Sequence, residues 1–171
     1  MTYGVTTVMS SETTPSQKYD VSLGNLGARL DVARTENEAN VAIVEHTLPP
    51  HTLAAPLHRH SREDEISYVL EGKMTVLADD ELTTVPAGES VVKGRDIWHT
   101  FWNADDEPLR FLEIIVPGDF SEFFKEVAQL GSPDPMDEEW VSKFLSIGER
   151  YGFEADLERT PELLETHGLQ M

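Results

Sequence analysis

The sequence predicts an all-β sandwich or barrel that gives way to a helical tail. Three observations carry this. Short runs rich in β-branched and aromatic residues recur between about residues 20 and 117, and turn-prone Gly, Pro and Asp pairs separate them. Beyond Pro117-Gly118 the apolar residues recur at helical rather than strand spacing.

Val21 to Leu23 and Ala28 to Ala33 flank the turn Gly24-Asn25-Leu26-Gly27, and Asn40 to Leu48 reads as a strand that Pro49-Pro50 stops. Glu65 to Leu70, Met74 to Ala78, Leu82 to Val85 and Ser90 to Val92 follow, divided by Glu71-Gly72, Asp79-Asp80 and Pro86-Ala87-Gly88. Ile97 to Trp102 and Arg110 to Val116 complete the series. In the tail, Asp119 is placed to cap a helix carrying Phe120, Phe123, Phe124, Val127 and Leu130 and ending near Gly131. Pro133 and Pro135 interrupt. Asp137 then caps a second helix with Trp140, Val141, Phe144 and Leu145, which Gly148 and Gly152 weaken, and Pro161 to His167 forms a third. These helices are expected to cover the outside of the barrel or its mouth.

At 171 residues the chain suits one domain with a tail. Its 32 Asp and Glu against 13 Lys and Arg give a formal charge of -19, a surface that repels phosphate backbones and anionic headgroups. Neither nucleic acid nor membrane is an expected partner. The excess of carboxylates fits adaptation to high salt slightly better than an ordinary acidic cytosolic protein. With no cysteine, disulfides, thiol nucleophiles and iron–sulfur ligation are excluded. The start of the chain, Met1 to Lys18, is rich in Ser and Thr without an apolar run, and no stretch has the length and apolarity of a membrane span, so a cytoplasmic protein is expected.

The chemistry centres on Pro56-Leu57-His58-Arg59-His60-Ser61-Arg62-Glu63-Asp64-Glu65. Strand side chains alternate, so His58 and His60 share a face if extended, and Glu65 stands close enough to close a metal site with them. Imidazole and carboxylate donors without thiolate suit a divalent iron, nickel, manganese, cobalt or zinc ion. Glu63 and Asp64 compete with Glu65 but are read as solvated acids, because Glu65 opens the apolar strand. His99 is the candidate third imidazole. Alternation puts Phe101 on its face, and puts Ser67 and Val69 on the face of Glu65; these three are the candidate substrate-pocket residues. Ile66, Tyr68 and Leu70 then point outward and require cover from the tail or a second subunit. Arg59 and Arg62 read as surface charges. His46, His51 and His167 read as ordinary, and beyond the ligands no His or Lys is clearly placed as a base.

The two segments resemble the paired motifs of single-domain cupins. The first, G(X)5HXH(X)3-4E(X)6G, is matched by His58, His60, Glu65 and Gly72, with Thr52 in place of the leading Gly. The second, G(X)5PXG(X)2H(X)3N, is matched by Gly88, His99 and Asn103, with Gly94 in place of Pro and Asp96 in place of Gly. The resemblance implies a double-stranded β-helix, the jelly-roll barrel, with His58, His60, Glu65 and His99 on a divalent metal, in a homodimer. It divides the chain into a polar arm at 1–19, a barrel at 20–117 and a tail at 118–171. The tail, Pro117-Gly118-Asp119-Phe120-Ser121-Glu122-Phe123-Phe124, is similar to the segment after the barrel in monocupins like quercetin 2,4-dioxygenase. The leading expectation is a dioxygenase for a small phenolic or enolisable substrate, with Glu65 as ligand or general base. A redox-neutral isomerase or lyase acting on a sugar or keto acid, and a non-catalytic small-molecule binder, are the alternatives.

Overall fold

A computed structural model describes residues 20–132 and 137–171. The expected arm at 1–19 and the prolines 133 and 135 lie outside them. The strands begin with β1 (Asp20–Leu23), β2 (Leu26–Val32), β3 (Ala42–Leu48), β4 (Thr52–Leu53), β5 (Leu57–His60) and β6 (Asp64–Glu71). They continue with β7 (Lys73–Ala78), β8 (Glu81–Pro86), β9 (Ser90–Lys93), β10 (His99–Asn103) and β11 (Leu109–Val116). The tail holds α1 (Ser121–Ala128), α2 (Glu138–Tyr151), β12 (Phe153–Asp156) and α3 (Thr160–His167).

The strands form two antiparallel sheets, as the jelly-roll expectation requires. One has the order β1-β2-β3-β11-β6-β9; the other runs β12-β5-β10-β7-β8, with β4 paired to β10. Alternation decides which residues fill the space between them. In β11, Leu109, Phe111, Glu113 and Ile115 are buried while Arg110, Leu112, Ile114 and Val116 are less so. The far half of the interior is filled by Val69, Met74, Val76, Phe101, Leu109 and Phe111. The β6–β7 turn demands glycine: Gly72 has φ +80, and a Cβ there would stand 2.9 Å from the Pro108 carbonyl oxygen.

The tail closes the near half. Phe120, Phe123, Phe124, Phe144 and Phe153 join one core cluster with Leu30, Ala42 and Val44 from the inner face of the first sheet. Asp137 caps α2 as expected, accepting from the backbone N–H groups of Glu139 and Trp140. Asp119 does not cap α1, because a 3-10 turn over Gly118–Phe120 moves the helix start to Ser121, and Asp119 pairs instead with Arg34 at 3.2 Å. The sequence reading also has no counterpart of β12. Left-handed Gly152, φ 78, ends α2 and returns the chain against the edge of β5, with Phe153 opposite His60 and Ala155 opposite His58. The tail leaves the outer face of β6 bare: Tyr68 is 40% exposed and neighbouring Val92 is 64% exposed.

Candidate metal centre

β5 carries His58 and His60 on its inward face, and the ladder sets His99 of β10 directly opposite His58. Glu65 enters from β6, in the other sheet. The site therefore bridges the two sheets, and one ligand-type atom from each of the four residues lies within 4.8 Å of the others. Imidazole centroids are 4.4 Å apart for His58 and His99 and 5.0 Å for His58 and His60. His60 Nε2 and His99 Nε2 stand 3.5 and 3.6 Å from the same oxygen, Glu65 Oε2.

The ring orientations are set from behind. His58 Nδ1 lies 2.7 Å from the Pro56 carbonyl oxygen and His99 Nδ1 lies 2.9 Å from that of Ile97. A carbonyl only accepts, so these Nδ1 atoms carry the hydrogen and Nε2 keeps its lone pair. For His60, Nδ1 faces Glu63 Oε1 at 2.8 Å. The carbonyl contacts of His58 and His99 are of the kind that fixes ligand tautomers in metal sites. Glu63 is thus corrected from a solvated acid to a buried one, 3% exposed, whose carboxylate stands beside the His60 ring. Asp64 does face outward, paired with Arg95 at 3.0 Å.

The turn before His99 carries Asp96 where the motif it resembles has glycine. Asp96 has φ 62, the left-handed conformation that the usual glycine supplies, and its N–H donates to the His60 carbonyl oxygen at 2.7 Å. The turn is thereby tied to the strand holding two of the imidazoles.

Burial lowers His99 and, further, His58. Burial also lowers His60, but the carboxylates of Glu65 and Glu63 outweigh it and push the imidazole up to about 9. Glu65 is raised by burial, yet Lys93 and His60 hold it well below the usual carboxylate range. Lys93 was not singled out from the sequence. It is 1% exposed on β9, opposite Glu65 in the ladder, with Nζ 3.1 Å from Glu65 Oε2 and 2.7 Å from Glu113 Oε2. Burial pushes Glu113 up to about 7 against the pull of Lys93, and Ser67 Oγ donates to that carboxylate. The available signal was alternation, which places a carboxylate at the inward position between Phe111 and Ile115. Of the pocket candidates, Ser67 serves this network, Val69 lies in the core, and Phe101 packs 5.3 Å from Phe111 with Lys93 Nζ 4.5 Å over its ring.

Does the donor set suit a metal ion? His60 Nε2 and His99 Nε2 are buried without a hydrogen-bond partner, at a cost of order 1–3 kcal/mol each. A cation among them and Glu65 would satisfy both, and three imidazoles with a carboxylate are donors for a borderline divalent ion. The group fits. Phe120 stands 4.4 Å from His60 and Phe153 4.9 Å from His58, so the centre is walled by aromatic rings of the tail. A surface cavity of about 410 Å³ lined by Arg59, Ser61, Asp96 and Glu154 lies outside this wall.

The family model described as cupin domain, Cupin_2, matches residues 44–115, which hold all four residues of the cluster. Among solved structures, a predicted oxalate decarboxylase from Thermotoga maritima is similar at 19% identity and TM-score 0.51, over 63% of this chain and 97% of that one. PAC13 of Streptomyces, solved with uridine, is similar at 9% identity and TM-score 0.50, over 64% and 84%. A sugar phosphate isomerase from Silicibacter pomeroyi is similar at 20% identity and TM-score 0.47, over 53% of this chain and 59% of that one. These likenesses concern the fold. The Cupin_2 match and the two structures with TM-scores of 0.50 and 0.51 agree on a cupin-like barrel fold. No curated protein sequence matches the chain. No helix among the described residues is long and apolar enough to cross a membrane.

Proposed function

We propose that this chain is a divalent-metal enzyme for a small molecule, and that its reaction is dioxygenation of a phenolic or enolisable substrate. The observation that carries the reading is the buried set of three imidazoles and one carboxylate whose donor atoms lie within 4.8 Å, with the rings oriented from behind. His58, His60, Glu65 and His99 would hold the ion. When bound, such an ion supplies open coordination positions and Lewis acidity for a substrate oxygen and O2. The chain's own residues do the rest. Phe120 and Phe153 exclude water, which strengthens the electrostatics inside. Glu65, which Lys93 and His60 hold well below the usual carboxylate range, stays ionised as a ligand rather than serving as the general base, and Phe101, Ser67 and Val69 line the interior side.

A redox-neutral isomerase or lyase acting on a sugar or keto acid is the second reading, in which the same ion would polarise a carbonyl. Elemental analysis of protein purified without added metal, followed by oxygen uptake against phenols and diketones, decides between them. Iron or nickel with oxygen uptake supports the dioxygenase. Turnover that continues anaerobically refutes it.

We further propose that a second copy covers the outer face of the first sheet. Ile43, Ile114, Ile66 and Val92 are register partners across four neighbouring strands, so one apolar row crosses the sheet and meets its own image about a two-fold axis. Light scattering of the wild type should give a dimer and Ile66→Glu a monomer; a monomeric wild type refutes the proposal.

A further inference from the structure

Lys93 has an unusual position for a lysine. Its ammonium is fully enclosed, contacts two carboxylates, and lies over the Phe101 ring. Buried lysines need such partners, so the bland reading is a core ion pair. The choice of oxygen argues for more. Lys93 holds Glu65 Oε2, the same atom that faces the free Nε2 of His60 and His99. A divalent ion and the ammonium would thus share one carboxylate oxygen. β9 enforces this, because Lys93 is the ladder partner of Glu65, while Glu113, the ladder partner of Ser67, anchors the ammonium from the neighbouring strand.

We propose that Lys93 is a positioning residue and built-in counter-cation: it fixes Glu65 Oε2 toward the imidazoles and holds divalent-ion affinity below what the four donors alone would give. The inference rests on the reading of the cluster as a metal centre. Two effects oppose each other when Lys93 is removed. Loss of the anchor loosens Glu65, which weakens binding. Loss of a positive charge a few ångströms from a dication strengthens it, and in a buried site the charge effect is the larger. Structural damage alone would weaken binding, so the direction separates the roles.

The test uses Co2+ on the full chain near pH 8, by isothermal titration with the visible absorption band recorded alongside. Lys93→Met leaves Glu113 buried and unpaired and risks misfolding, so the informative comparison is Lys93→Met with Glu113→Gln against Glu113→Gln alone, a pair that differs only in the ammonium. We expect the double variant to bind Co2+ about tenfold or more tighter than Glu113→Gln, with a shifted band, and Lys93→Arg to bind like the wild type. Unchanged or weaker binding in the double variant relative to Glu113→Gln overturns the inference while leaving the metal centre intact. A wild type that binds no Co2+, indistinguishable from His60→Ala and His99→Ala, overturns the metal centre and the inference with it.

Discussion

Replacing Phe153 with alanine removes the ring that joins the tail to the metal-type cluster. The ring is buried, stacks on His58 at 4.9 Å, and meets Phe123 at 5.0 Å and Phe144 at 5.6 Å. Truncating a core phenylalanine costs about 3–5 kcal/mol, from a total stability of about 5–15 kcal/mol, so the variant should still fold. For a chain of this size each kcal/mol moves the midpoint by about 2–4 °C, which predicts a fall of about 6–20 °C by scanning calorimetry. The backbone pairing of β12 with β5 does not depend on the ring. The second effect is local. With the ring gone, His58 and His60 open toward solvent, and a chelator in excess should strip Co2+ at least about tenfold faster, well below the melting transition. Phe153→Leu keeps most of the apolar volume and should stay slow. If Phe153→Ala melts early but releases Co2+ at the wild-type rate, the tail does not seal the centre.

His46 makes the acid limb of stability testable. Burial lowers this imidazole to about 4 from its ordinary 6.5, with Nδ1 donating to the Gly27 carbonyl oxygen, so the folded protein keeps it neutral. A depressed folded value means its contribution is complete above about pH 6.5 and is lost as pH falls toward 4, a change of about 3 kcal/mol. Urea unfolding of His46→Gln should show a correspondingly shallower loss between those pH values; an identical slope would refute the assignment. Gly148→Ala should destabilise despite better helix propensity. The gain is about 1 kcal/mol, but the new Cβ would stand 2.7 Å from Phe153 Cδ1 and 3.2 Å from its carbonyl oxygen, and overpacking costs about 1–3 kcal/mol. A higher melting temperature would show that β12 yields freely.

How far the sequence reached follows from what alternation can see. Period two put His58 and His60 on one face, Glu65, Ser67 and Val69 on another, and His99 with Phe101; β5 and β6 keep those parities as alternating burial, while β10 is buried throughout and parts Phe101 from Trp102 only by their different core clusters. It also identified Ile66, Tyr68 and Leu70 as outward. What it missed depends on where strands stop and on tertiary contact. Ser90 to Val92 was read one residue short, and the omitted residue is Lys93, the ladder partner of Glu65. Glu63 lies in the link before β6, where parity has no meaning, and only the folded position of His60 shows that it is buried. β12 is a four-residue strand whose pairing comes from β5 rather than from its own pattern, so helix-end signals at Gly148 and Gly152 concealed it.

The network also explains why the cluster is more than a coincidence of motif residues. Among the described residues, the buried carboxylates are Glu63, Glu65 and Glu113, and the buried ammonium is Lys93. Three negative charges against one positive leave two uncompensated, which a low-dielectric interior does not tolerate. The two groups pushed up to about 9 and about 7, His60 and Glu113, are where protons collect to offset that charge. A dication beside Glu65 would supply the same two charges in place of those protons, at the point where the Nε2 atoms of His60 and His99 lack partners. Charge and hydrogen-bonding capacity are two separate counts, and a cation at one place would meet both.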